Sequence, residues 1–143
     1  TRFHNVDALV ERVPAGILQF DQLNEFAALV QDKVQASPAL RRYALNLWLA
    51  TKTPGQYGIQ ISGVDINRLV IAGASPRGMA MMLRAARVNA WLNGRDAVLP
   101  EDIHAVFHET VAHRLVFSPV YEMRRTEIAR ELLSGIVNAI SVP

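Results

Sequence analysis

The sequence contains no cysteine, which excludes disulfides, thiol nucleophiles and cysteine-based zinc sites together. A reducing compartment, the cytoplasm, is the expected location. No apolar run approaches the ~18–20 residues needed to cross a bilayer; the longest, such as Leu69 to Ala74 and Met79 to Leu83, stop far short, so no membrane span is expected. Lysine is nearly missing too, Lys33 and Lys52 being the two lysines among 15 basic residues. Neither follows a glycine: Asp32 precedes Lys33 and Thr51 precedes Lys52. The Gly-Lys step of a Walker A phosphate loop is therefore absent, and this stretch of chain is not expected to hydrolyse nucleotides on its own. Internal repeats and low-complexity tracts are lacking as well.

What is present suits one globular unit over residues 1–143, with 1–20 as a candidate linker from a preceding domain. Half of the 143 residues are apolar, 20% are charged and mean hydropathy is +0.12, a balance that supports a buried core. The pI of about 9.4 misleads as a sign of polyanion binding. Net charge is only +2, and the high value reflects the arginines, which resist titration and grip phosphates or carboxylates with a planar fork. The start at Thr1, without Met or a signal segment, suggests a C-terminal piece of a longer protein.

Helical periodicity recurs along the chain. Leu23, Phe26, Ala27, Val30 and Val34 form one apolar face after a potential cap at Asp21. Ser37-Pro38 starts a second helix, to about Lys52, with Leu40, Tyr43, Ala44 and Leu47 inward. Thr53 to Gly73, punctuated by Pro54 and glycines, reads as a long loop with a brief alternation at Gly58–Ser62. Ser75-Pro76 starts a helix to Asn93 that is apolar nearly all round and so expected to be central and buried. Pro100-Glu101-Asp102 opens a fourth, with acids in its first turn and Ile103, Val106, Phe107, Thr110 and Val111 on its inner face. Thr126 to Ile140 forms the last, with Ile128, Leu132, Ile136 and Ile140 inward. Ala97-Val98-Leu99 and Leu115-Val116-Phe117 are expected to pair as a small ribbon. The predicted fold is mostly α, a compact helical bundle of about five helices with a two-stranded β ribbon.

Three constellations could carry chemistry. His104 and His108, four residues apart, share a helix face as zinc ligands do, but His108-Glu109 is followed by His113 one residue too late, turning it ~140° away from His108. No metal site is expected. Gly73-Ala74-Ser75-Pro76-Arg77-Gly78 comes close to the G-x-S-x-G elbow of hydrolases, yet Arg77 occupies the place of the second glycine, so Ser75 reads as a helix cap. Arg77 itself stands in the first helical turn, where the dipole disfavours a cation unless an anion or an acid answers it. Arg84 lies nearly in register seven residues on, with Arg87 beyond it, suggesting a basic strip.

These residues carry a resemblance. Gly73-Ala74-Ser75-Pro76-Arg77, then Leu83-Arg84-Ala85-Ala86-Arg87, then Gly94 to Ile103 (Gly-Arg-Asp-Ala-Val-Leu-Pro-Glu-Asp-Ile), then His113-Arg114-Leu115, closely resemble the C-terminal lid domain of MoxR-type AAA+ ATPases. The resemblance is strong from Gly73 to Ser118 and looser elsewhere. It implies that Arg77 is the sensor 2 arginine, reaching the γ-phosphate of ATP held, with Mg, mainly by a separate core, with Ser75 and Arg84 as supporting residues. It implies further that the parent is an ATPase and a chaperone-like machine. Its lids contact the AAA+ core and neighbouring protomers in a ring, it often acts beside proteins with von Willebrand factor A domains, and Trp48 or Trp91 offers apolar surface to the core or a neighbour. Two features depart from the family pattern: the Thr53–Ile71 approach is long, and Gly78 stands where Ala is more usual. Competing readings are a helix-turn-helix or winged DNA-binding module, or an adaptor that uses no nucleotide. Nucleic acid is not the expected partner, since the basic residues are scattered and Glu109, Glu122, Glu127 and Glu131 accompany the C-terminal surfaces.

Overall fold

A computed structural model describes residues 10–14, 16 and 19–143. Most of the candidate linker at 1–20 lies outside the described residues. Six α-helices follow in order: α1 (Leu23–Lys33), α2 (Pro38–Ala50), a single-turn α3 (Ile66–Leu69), α4 (Pro76–Leu92), α5 (Pro100–Val111) and α6 (Arg125–Ala139). Two short strands, β1 (Val70–Ala72) and β2 (Val116–Phe117), pair antiparallel.

The serine-proline starts behave as the sequence indicates. Ser37 Oγ accepts the Leu40 N–H at 3.1 Å and Ser75 Oγ accepts the Gly78 N–H at 3.4 Å, while each following proline occupies the first helical position, where no N–H partner is required. α5 and α6 also bury the anticipated faces. Ile103, Phe107 and Val111 from α5 and Ile128, Leu132 and Ile136 from α6 are inaccessible, joined by Leu40, Tyr43, Ala44 and Leu47 of α2 in one continuous cluster. Truncating Phe107 to Ala in such a core costs about 3–5 kcal/mol.

Other expectations need correction. Asp21 is not a cap: it lies within a 3₁₀ turn (Phe20–Gln22), and α1 begins without a side-chain cap. Of its predicted inner face, Val30 and Val34 are buried while Leu23 and Phe26 are exposed, because α1 lies at the edge of the bundle and packs on α4. α4 is indeed central, touching α1, α2 and α5, but it is buried along a stripe and not all round. Gly78, Met82, Ala86 and Ala90, four residues apart, face inward, and the small residues let α5 approach closely. Met81, Val88, Trp91 and Leu92 remain exposed.

The ribbon has one correct partner and one wrong one. β2 pairs with β1, Val70 opposite Phe117 and Ala72 opposite Val116, and the Ser118 N–H extends the ladder to the Leu69 carbonyl at 2.8 Å. Ala97 instead forms a parallel bridge with Gln35: the Gln35 N–H donates to the Asp96 carbonyl and the Val98 N–H to the Gln35 carbonyl, both at 2.8 Å. The Thr53–Gly73 loop is more ordered than its glycines suggest. It contains a 3₁₀ turn (Pro54–Tyr57), α3 and β1, and it sinks Ile59, Ile61 and Leu69 into the core.

Candidate functional site

The segment that delivers Arg77 is held by α2. The Trp48 indole N–H, on the last turn of α2, donates to the Ala74 carbonyl at 2.7 Å and to the Ser75 carbonyl at 3.2 Å. The Lys52 ammonium stacks over the same indole at 4.0 Å, a cation–π contact that steadies the ring. Gly73 lies against Lys52 so closely that a β-carbon there would come within 2.7 Å of Lys52 Cγ and 3.0 Å of its Cα. No other residue fits without moving backbone. Ala74 is wholly buried, and the Ser75 carbonyl accepts the Gly78 and Met79 N–H groups that open α4.

Beyond this anchored base Arg77 is exposed, and no hydrogen bond or ion pair engages its guanidinium among the described residues. Among the described residues no acid answers this cation, which stands on the positive end of a helix dipole. Gly78 has a structural reason: a β-carbon there would stand 3.0 Å from Arg114 Cδ and 3.3 Å from Ala74 Cβ. Its lack of a side chain leaves room for the Arg114 stem, whose Nε donates to the Thr110 carbonyl at 3.0 Å.

The three-arginine strip does not form. Arg84 is exposed and lines a shallow cleft of about 370 Å³ with Gln31, Thr110 and Arg114. Arg87, ten residues from Arg77 and so turned ~80° out of its register, faces α1 instead. Its Nε donates to the Val34 carbonyl at 3.1 Å and its Nη1 to Gln31 Oε1 at 3.4 Å, closing the C-terminus of α1. Ser75 is a cap, as its sequence context indicates.

At the far end of α4 a second arginine is fully engaged. Arg95 grips the buried Asp102 with two bonds of 2.6 and 2.7 Å, and the Asn89 amide and the Leu99 N–H donate to the same carboxylate at 2.8 Å each. Burial would push the Asp102 carboxyl up. The bonds from Arg95, Leu99 and Asn89, together with the Arg95 charge, outweigh burial and hold it below the ordinary carboxylate range. The hydrogen bond to Asp102 in turn raises Arg95. The Gly94–Ile103 motif is thus a structural junction that fixes the α4–α5 turn.

The histidines are tied individually. His104 Nε2 and the Tyr43 hydroxyl share a 2.6 Å hydrogen bond that joins α5 to α2, and burial raises the Tyr43 hydroxyl pKa. His108 sits 3.7 Å from the Glu109 carboxylate, and His113 Nδ1 lies 3.1 Å from the Glu109 carbonyl. Among the described residues no three His, Asp or Glu side chains converge as a metal would require, and no helix is long and apolar enough to cross a membrane.

The tryptophans divide. Trp48 is half-buried and bonded to the Arg77 approach, whereas Trp91 is an exposed side chain on α4. Trp48, Lys52 and Arg114 are the contributors that sequence reasoning missed as parts of this site. Trp48 is 26 residues from Ala74, and no local pattern marks such a contact.

The AAA lid domain family matches residues 65–133. The chain is 47% identical to Protein MoxR of Methylorubrum extorquens over 142 residues, 99% of this chain and 41% of the relative. It is 33% identical to Chaperone MoxR1 of Mycobacterium tuberculosis over 73% of this chain and 26% of that protein. A crystal structure from Cytophaga hutchinsonii, of a protein proposed to be an ATPase, superimposes with a TM-score of 0.69 at 29% identity, covering 80% of this chain and 33% of the other. The chain spans about two fifths of the length of the first of these relatives.

Proposed function

Since this chain belongs to the AAA lid domains, of the MoxR type, we propose that Arg77 is its sensor 2 arginine, contacting the terminal phosphate of ATP bound with Mg by the AAA+ core of the same protein. The observation that carries the reading is the contrast within the motif: a base pinned by Trp48 and Gly73, and a guanidinium at its tip that no acid engages among the described residues. The donor set fits the group, because a planar cation beside helix N–H groups favours a phosphate over any neutral partner. Bound ATP would supply the counter-charge that Arg77 lacks among the described residues. The arginine in turn would draw the lid toward the core while the phosphate is present and release it afterwards, converting nucleotide state into lid rotation.

Within that reading the chain acts as one lid over residues 1–143, without catalysis of its own, in a parent ATPase that assembles as a ring. Lids would meet the core and neighbouring protomers. The name of the mycobacterial relative, a chaperone, supports a remodelling role, with a von Willebrand factor A domain protein as a candidate partner and the cytoplasm as the setting.

Steady-state ATP hydrolysis by the full-length protein tests the assignment. Arg77→Ala removes a charge-assisted contact worth on the order of 1.5–3 kcal/mol, a roughly ten- to hundredfold fall in rate or ATP affinity. Arg77→Lys keeps the charge without the fork and is expected to restore only part of it. Parental turnover in Arg77→Ala, or a loss of activity matched by a loss of folding, removes the assignment.

A further inference from the structure

We propose that Trp48 is a positioning residue for Arg77, so that the indole on α2 sets how productively the arginine meets its anion. The inference rests on the sensor reading of Arg77 and adds to it a residue that lies outside the motif and makes no contact with the anion itself.

The argument is one of leverage. An arginine side chain turns about four bonds before its guanidinium, and Arg77 has no side-chain partner to restrict it among the described residues. Its precision must come from the backbone beneath it, since a charged group delivers its binding energy only when its base is held in place. The indole N–H bridges two successive carbonyls, Ala74 at 2.7 Å and Ser75 at 3.2 Å. The second of these also receives the first helical N–H bonds of α4, from Gly78 and Met79. A single donor thereby links the direction of the first turn of α4 to the C-terminal end of α2. The pinning is doubled on the other side, where Gly73 rests on the Lys52 backbone, and Lys52 covers the indole at 4.0 Å. α2 is tied in turn to α5 through Tyr43 and His104, so the base of Arg77 moves with the bundle.

The test is a double-mutant cycle in the full-length protein. Trp48→Phe keeps an aromatic ring under Lys52 but removes the N–H, and the loss of one neutral hydrogen bond corresponds to a roughly two- to tenfold change. The expected result is a fall of that size in kcat, or in ATP affinity, in protein that remains fully folded at the assay temperature, alongside a melting temperature lowered by a few degrees for the lost bond. In an Arg77→Ala background the same substitution should then have no further effect, because the group it positions is gone. Trp48→His, which returns a ring N–H, should recover part of the loss. Gly73→Ala disturbs the other side of the same anchor, and where it folds by circular dichroism its effect should also vanish without Arg77.

Equal losses in both backgrounds, or parental kinetics in Trp48→Phe, overturn the positioning role while leaving Arg77 as sensor. Parental turnover in Arg77→Ala alone overturns the sensor reading and this inference with it. The two failures are thus told apart by which single variant retains activity.

Discussion

The two ends of α4 each carry an arginine, and the two are treated in opposite ways. Arg95, just past the C-terminal end, is locked by a buried carboxylate whose remaining oxygen sites are filled by Asn89 and the Leu99 N–H. Arg77, in the first turn, is exposed with no acid beside it among the described residues, although the segment leading into it is held by the Trp48 indole and by the close fit of Gly73 on Lys52. A charge that finds all its partners within the chain works for the fold. A charge that is presented on a rigid base and left unanswered is available to something outside it. The difference does not lie in residue type, since both are arginines with a glycine neighbour; it lies in whether a carboxylate reaches them.

The largest effect on stability is therefore expected at the closed end. Asp102→Ala removes the hub of four hydrogen bonds and should cost about 3 kcal/mol, read as a shift in urea midpoint at unchanged slope, with ATP turnover altered only through loss of folded protein. The same hub predicts the response to acid. The Asp102 carboxyl is held below the ordinary range in the fold, so its contribution is fully present above ~4 and disappears as pH falls through the still lower folded-state value. Unfolding free energy measured from neutral pH downward should drop across that window, and Asp102→Asn should flatten the drop. Ser75→Ala, at the open end, loses one cap bond and should cost about 1 kcal/mol in thermal or urea unfolding, with little direct effect on hydrolysis. Arg77→Ala should sharpen the contrast most by doing least to the fold, shifting stability within about 0.5 kcal/mol while activity collapses. An Arg77→Ala protein as destabilised as Asp102→Ala would erase the distinction between the two ends.

Much of this architecture was legible from local chemistry. Ser37-Pro38 and Ser75-Pro76 mark helix starts because cap and proline act on the nearest turn, and the apolar spacing of α5 and α6 identified the centre of each buried face, Ile103, Phe107 and Val111 on one and Ile128, Leu132 and Ile136 on the other, while Val106 and Thr110 are only partly covered. Arg77 was legible for the same reason, as a cation placed where the dipole of its own helix opposes it. Apart from the Asp21 cap and the short α3, which are local, the misreadings concern partners distant in sequence. Leu115–Phe117 was correctly seen as strand-prone, but its partner was decided by where Leu69 enters the core, which brings Val70–Ala72 alongside. The apolar residues of α1 and α4 exceed what their neighbours cover, so Phe26 and Trp91 stay exposed. Asn89 and Arg95 could be read as ordinary polar residues of a helix end until Asp102 is placed between them.

What the sequence determined by itself was the five longer helices, the serine-capped starts of α2 and α4 and the place of Arg77 in the first turn of α4, because each depends on residues within a turn or two. Tertiary structure alone decided that Arg87 would close α1, that Gly78 would make room for Arg114, and that Trp48 would anchor the Arg77 approach. Those contacts join segments dozens of residues apart, and a hydrogen bond or a close approach between them exists only after the core has chosen which helices lie side by side.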